Sequence, residues 1–118
     1  MDLFTTAYIE AALWSTTDDD GQPLGATYFE SDIAPATLQS MVDDCSIFQA
    51  TRREQYAAAG WTDEQAGHDF WLTRNRHGAG FWDRGIDDDN AGRLLTEAAH
   101  SYGTFDLYVG DDGLIYGS

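Results

Sequence analysis

The sequence predicts an α+β domain in which about four helices pack on a small antiparallel sheet that ends in a C-terminal β-hairpin. Three features predict this class: helical spacing of apolar residues before residue 101, clear helix boundary signals, and alternation of apolar and polar residues near the C-terminus. With 118 residues, 42% of them hydrophobic, the chain can build one core. We therefore expect a single domain over residues 1–118, without repeats or linkers.

The first helix is predicted at residues 5–14, where Tyr8, Ala11, Ala12 and Leu13 recur at helical spacing. Residues 18–23 contain Gly and Pro and are expected to form a loop. Residues 27–29, a threonine and two aromatic residues, could form a short strand.

The middle of the chain carries the strongest helix boundary signals. Pro35 suits a first helical position and Gly60 suits a C-terminal cap, so a long helix is predicted between them. Thr62 and Gln65 have the spacing of a capping box, which predicts a third helix from there to about Arg74.

Glycines then interrupt the pattern, and residues 75–80 are expected to form a tight turn in which Gly78 or Gly80 has a positive φ. Phe81 and Trp82 could form a strand. Residues 87–90 are expected to form a loop that caps a fourth helix, which Gly103 ends.

The C-terminal segment gives the clearest β signal. Phe105, Leu107 and Val109 alternate with polar or half-polar residues, residues 110–113 have turn composition, and residues 114–116 return as the second strand. Because an isolated hairpin is only marginally stable, this one is expected to pack on the helices.

Trp14, Trp61, Trp71 and Trp82 are expected in an aromatic-rich core. Cys45, the only cysteine, lies on the apolar stripe of the long helix and is expected to be a buried thiol in a reducing compartment. The first residues show neither a basic region nor a long apolar run, so a cytoplasmic protein without signal peptide or membrane span is expected.

Charge is the most informative feature of the composition. There are 21 acidic residues against 6 basic ones, a net charge of -15, and no base precedes Arg52. Nucleic acids and anionic membranes should be repelled, and basic or nucleic-acid-binding proteins should be attracted. The expected partner is therefore such a protein, with no direct nucleic-acid or membrane contact. A homo-oligomer remains possible.

The candidate binding face is acidic, and its carboxylates could stand in for DNA phosphates, which are spaced at roughly 1.7 Å per charge along the duplex axis. Its members are Asp18, Asp19, Asp20, Glu30, Asp32, Asp43 and Asp44. The competing interpretations are turn and cap chemistry, which favours Asp, and adaptation of the host to salt.

A second candidate is a polar cluster that could support an enzyme. It comprises His68, Arg74, Asn75, His77, Asp83 and Arg84. No spacing in it matches a metal site or a nucleotide-binding loop, so no metal and no cofactor is predicted. The structural alternative is an arginine and histidine network that neutralises buried acids and shapes the turn.

Three stretches resemble a family of small acidic proteins encoded by bacteriophages and mobile elements. They are HDFWLTRNRHGAGFWDR at residues 68–84, FDLYVGDDGLIY at residues 105–116, and DIAP at residues 32–35 leading into MVDDC at residues 41–45. The resemblance covers most of the chain and implies a phage-type origin. It transfers no catalytic residues.

Three hypotheses of function follow. The first is a phage-type binding protein that inhibits or modulates a host nucleic-acid-binding or defence protein, as an anti-restriction or anti-CRISPR-like factor, by DNA mimicry. The second is a small enzyme whose His, Asp and Arg side chains converge in a pocket within residues 68–84. The third is an acidic phage accessory or structural protein with a large self-association surface.

Overall fold

The computed structural model describes residues 1–77, 80–81 and 89–118, and it confirms the predicted α+β class. The helices are α1 (Leu3–Ser15), α2 (Pro35–Ala58), α3 (Asp63–Arg74) and α4 (Asp89–His100). Two short 3-10 turns, Leu24–Ala26 and Glu30–Asp32, lie between α1 and α2, and the strands are β1 (Leu107–Val109) and β2 (Ile115–Gly117).

The helix boundaries follow from side-chain and backbone chemistry at their ends. The Asp2 carboxylate accepts the backbone N–H of Thr5 at 2.8 Å, which caps α1. Thr62 and Gln65 form the predicted reciprocal capping box of α3. Pro35 begins α2 and Gly60, with φ of 102°, follows its end, as predicted.

The core forms where α1 packs on α3, with α2 and α4 alongside. A Cβ atom at Gly67 would lie 2.0 Å from the carbonyl oxygen of Phe4, so the glycine lets the two helix backbones approach closely. The Phe48 and Phe70 rings stack with centroids 4.2 Å apart. Aromatic side chains from α1, α2 and α3 therefore meet in the centre of the domain.

The C-terminal hairpin pairs β1 with β2 in the register Leu107↔Gly117, Tyr108↔Tyr116 and Val109↔Ile115. Phe105, Leu107 and Ile115 are buried, so one face of the hairpin packs inward as predicted. The outer edge of β2 contacts the residues before α2: the N–H of Ala34 donates to the Ile115 carbonyl at 2.8 Å.

Several local predictions are also confirmed. The Cys45 thiol is fully buried, and burial raises its pKa above the ordinary value. Gly80 has a positive φ of 119°. Gly103 follows α4 with φ of 73°.

Of the helices in the described ranges, none is long and apolar enough to cross a membrane.

Other predictions are wrong. Residues 27–29 form no strand, because the N–H of Tyr28 turns back to the Leu24 carbonyl at 2.8 Å. Trp14 is 59% exposed and lies against Gly25 instead of entering the core. Phe81 is buried in a helical turn instead of a strand. Gly78, Trp82, Asp87 and Asp88 lie outside the described residues.

Candidate functional site

Arg74, a member of the predicted polar cluster, lies inside the core. Its Nη1 donates to the Asp44 carboxylate at 2.8 Å and to the Tyr8 hydroxyl at 3.0 Å. Its Nε donates to the Gly103 carbonyl at 2.9 Å, and its Nη2 to the Tyr102 carbonyl at 3.1 Å. The guanidinium therefore joins α1, α2 and α3 to the segment that follows α4, and four of its five N–H donors are used in these bonds within the chain.

Three aromatic rings surround the same guanidinium. The Arg74 Cζ atom lies 5.6 Å from the ring centroids of Phe70 and Tyr102 and 5.4 Å from that of Phe105. These distances suit cation–π contacts, which compensate in part for removing the charge from water. Arg74 thus neutralises a partly buried acid, which is the structural role that the sequence analysis set against catalysis.

Asn75 extends this junction to the hairpin. Its Oδ1 accepts the backbone N–H of Phe105 at 2.8 Å, and its Nδ2 donates to the Trp71 carbonyl at 3.0 Å. Both ends of the amide are therefore bound to backbone groups. The side chain fixes the start of the hairpin to the end of α3.

The other members of the polar cluster do not converge with Arg74. His68 is exposed on α3, about 9 Å along the helix axis from Arg74 at about 1.5 Å per residue. Its Nδ1 lies 3.7 Å from the carboxylate of the buried Asp69, which also accepts the Trp61 indole N–H at 2.9 Å. His77 is exposed beyond the end of α3, and Asp83 and Arg84 lie outside the described residues.

Within residues 1–77, 80–81 and 89–118, no group of three or more His, Cys, Asp or Glu residues is arranged to hold a metal ion.

A polar cleft of about 320 Å³ lies beside His77. The ends of α1 and α3 and the start of β1 line it, with Thr17, Trp71, Phe105 and Asp106 among its residues. No local pattern in the sequence indicates this cleft, because its three walls are far apart along the chain.

The first acidic cluster forms a tight, hydrogen-bonded loop. Asp18 Oδ1 accepts the backbone N–H groups of Asp20 and Gln22, both at 2.9 Å, and Thr17 pairs with Pro23 in an antiparallel bridge. Asp18 therefore builds the turn, as Asp commonly does. Asp19 and Asp20 are exposed at its tip.

The remaining four acids of the predicted face have different environments. Asp32 caps its 3-10 turn by accepting the Phe29 N–H at 2.8 Å, and Glu30 is exposed on the same turn. On α2, Asp43 is exposed and accepts the Gln39 amide at 2.8 Å. Asp44 is partly buried and pairs with Arg74, so its charge is compensated within the chain.

Most of the described arginines are neutralised by acids of the chain itself. Arg53 pairs with Asp63 at 3.0 Å, and Arg93 pairs with Glu97 at 3.2 Å. Arg74 pairs with Asp44, as described above. Within the described part of the chain, no arginine forms an ion pair with Asp19, Asp20, Glu30 or Asp43. These four carboxylates keep their charge available to solvent.

Comparison with known protein families, with curated proteins and with solved structures finds no match to this chain.

Proposed function

We propose that this chain is a binding protein that inhibits or modulates a basic, nucleic-acid-binding host protein through its exposed carboxylates. The feature that carries this function is the loop with Asp19 and Asp20 at its tip, together with the exposed Glu30 and Asp43. No arginine of the described chain neutralises them. Oriented carboxylates without internal counter-charges attract a basic surface.

The construction of the loop supports this function. The Asp18 N–H donates to the Gln22 carbonyl at 2.8 Å, and the Leu24 N–H donates to the Thr16 carbonyl at 2.9 Å. These bonds fix the backbone before a partner arrives, so less conformational entropy is lost on binding than with a flexible acidic tail. Asp19 and Asp20 are thereby presented at fixed positions, as a mimic of DNA phosphates requires.

The resemblance to phage-type acidic proteins motivates the class of target, which is a host defence or DNA-processing enzyme. A DNA mimic occupies the nucleic-acid site of such an enzyme, so the chain and duplex DNA should compete for it. The proposed surface omits Asp44, which pairs with Arg74, and it uses Asp18 and Asp32 only as turn and cap residues.

The test uses the double variant Asp19→Lys/Asp20→Lys and leaves Asp18 in place to preserve the turn. A matched control, Glu10→Lys/Glu54→Lys, changes the net charge equally at two exposed positions elsewhere. Proteins from host extract are captured on each immobilised variant, and every recovered protein is assayed for DNA binding. We expect wild type and control to capture a DNA-binding protein that duplex DNA displaces, and the double variant to lose it.

Salt provides the second measurement on the captured protein. Its affinity for the wild-type chain should fall as ionic strength rises, because exposed charges are screened beyond roughly 8 Å at physiological salt. Equal affinities for wild type and the double variant at low and high salt would contradict the proposed function.

A further inference from the structure

The pattern of hydrogen bonds between β1 and β2 shows which backbone groups of β1 point away from β2. Asp106 and Ser118 exchange two backbone hydrogen bonds, at 3.1 and 3.2 Å, and the Gly110 N–H donates to the Leu114 carbonyl at 2.8 Å. Antiparallel pairs alternate between bonded and non-bonded positions. Leu107 and Val109 therefore turn their N–H and C=O groups to the outer edge of the sheet.

The two edges of this sheet are treated differently. On β2, the outward carbonyl of Ile115 accepts the Ala34 N–H, and the outward N–H of Gly117 donates to the Thr37 hydroxyl at 3.2 Å. On β1, the outward groups of Leu107 and Val109 form no hydrogen bond within residues 1–77, 80–81 and 89–118. An unpaired edge of this kind can accept a further strand.

The polar cleft borders the start of this open edge. Leu107 and Asp106 line it, whereas no residue of β2 does, so the cleft lies on the β1 side of the hairpin. The C-terminal ends of α1 and α3 also meet there, and a helix C-terminus carries partial negative charge. With the Asp106 carboxylate, these groups favour a cationic side chain.

We propose that the open edge of β1 binds an extended basic peptide segment, which adds as a third strand and places a lysine or arginine side chain in the cleft. Asp106 lies at one end of the edge, and Asp111 and Asp112 lie at the turn beyond the other end. This charge favours a basic segment over a second copy of the chain, since two copies with a net charge of -15 repel each other.

This surface does not include Asp19 or Asp20, although Thr16 and Thr17 at the base of their loop line the cleft. It takes from the proposed function only the basic character of the partner, and it does not require that the partner bind nucleic acid.

The probe is a short fluorescent peptide of alternating lysine and valine, measured by anisotropy in two N-methylated forms. In an extended strand the valine amides point to one edge and the lysine amides to the other. One form carries N-methyl groups on its valine amides and the other on its lysine amides. Only the form methylated on the edge that faces β1 loses hydrogen bonds to β1. We expect one form to bind about tenfold more weakly than the other, as the loss of two or so hydrogen bonds implies.

The two forms carry equal charge, so non-specific attraction to the acidic surface affects both alike. Equal affinities of the two forms would overturn the proposal. The Asp19→Lys/Asp20→Lys variant should preserve the difference between them. Loss of capture by that variant tests the proposed function, and the difference between the two peptides tests the edge of β1. The two proposals can therefore fail independently.

Variants of the protein test the same edge from the other side. Val109→Pro removes an outward N–H that β2 does not use, and Val109→Thr keeps it. Binding of the favoured peptide should weaken about tenfold with proline and stay within about twofold with threonine. Equal binding by both variants, with wild-type circular dichroism, would contradict the proposal. Sedimentation showing a wild-type dimer that Val109→Pro dissociates would assign the edge to a second copy and overturn it.

Discussion

Asp44 of α2 and Arg74 of α3 form an ion pair of 2.8 Å in which the arginine side chain is 3% exposed and the carboxylate is 28% exposed. The charge that lacks water is thus the guanidinium, and the carboxylate is its only charged partner among the described residues. The pair also holds the Gly103 and Tyr102 carbonyls through the same guanidinium. Its energetic importance should therefore exceed that of a surface ion pair.

We expect Arg74→Met to destabilise the domain by about 3–5 kcal/mol, because it leaves Asp44 and two carbonyls without their donor. A double-mutant cycle of Arg74→Met with Asp44→Ala, measured by urea unfolding, isolates the coupling of the two residues. The exposed pair Arg93 and Glu97 is the matched control and should couple by only about 0.3–0.5 kcal/mol. Equal coupling in the two cycles would contradict the assignment of Arg74 to the core.

Gly67 separates two opposing effects on stability. Helix propensity alone predicts that Gly67→Ala stabilises α3 by up to about 1 kcal/mol. The added Cβ would lie 2.0 Å from the Phe4 carbonyl oxygen, so α1 must move. We expect this overpacking to dominate and to destabilise the domain by about 1–3 kcal/mol.

Gly92 of α4 is the control for that change. A Cβ atom there would lie 3.3 Å from the Phe81 carbonyl oxygen, a contact that a small shift relieves. Thermal unfolding of Gly67→Ala and Gly92→Ala should show a clearly lower Tm for the first. A Tm for Gly67→Ala at or above that of the wild type would disprove the close approach of α1 and α3.

Adjacent residues of β1 test the register of the hairpin. Leu107 is 8% exposed and Tyr108 is 58% exposed, so an aspartate has different consequences at the two positions. Leu107→Asp places an unpaired charge in the core and should unfold much of the population at room temperature. Tyr108→Asp removes a stacking contact with Tyr116 and should cost about 1 kcal/mol or less. Circular dichroism with urea titration distinguishes them, and similar losses for both would show that the register is wrong.

Buried tyrosines predict a loss of stability in alkali. Burial raises the pKa of Tyr8 above its ordinary 10.0, although Arg74 opposes this. Burial and the hydrogen bond to Asp63 raise the pKa of Tyr56 in the same direction. Above pH 10.0 the unfolded chain releases these protons while the folded chain retains them, so stability should fall as pH rises further.

Tyr8→Phe removes one of these groups. It should cost about 1 kcal/mol at neutral pH, through loss of the bond from Arg74, and should make the alkaline decline shallower. Free energies of unfolding measured on both sides of pH 10.0 provide the check. A decline of unchanged slope in the variant would show that Tyr8 ionises as freely when folded as when unfolded.

The sequence predicted the elements whose signals are local. The capping box of Thr62 and Gln65, the proline at the start of α2 and the glycine after its end act within a few residues, and the structure contains each of them. The hairpin is similar, because alternation and turn composition are short-range properties. Residues 27–29 have strand composition, but the Tyr28 N–H donates to the Leu24 carbonyl in a helical turn and not to a neighbouring strand.

The candidate site could not be predicted to the same extent. The Arg74 side chain reaches Tyr8, Asp44 and Gly103, which are 66, 30 and 29 residues away along the chain. No local pattern distinguishes such an arginine from an exposed one. Local sequence does not distinguish Asp44 from Asp43 either. The two are neighbours on α2, and Asp43 is exposed because it lies on a different side of the helix from Asp44. The open edge of β1 likewise depends on which strand the start of α2 covers.

The attachment of the hairpin has a consequence for sequence divergence. Arg74 donates to the Gly103 carbonyl, and Asn75 accepts the Phe105 N–H. Every residue type has a backbone carbonyl, and every type except proline has a backbone N–H. Divergent relatives should therefore retain the arginine and asparagine at the end of α3, while the residue that supplies the bound amide is free to change within the apolar types. Covariation between that position and Asn75 should be weak, even though the two residues are in direct contact.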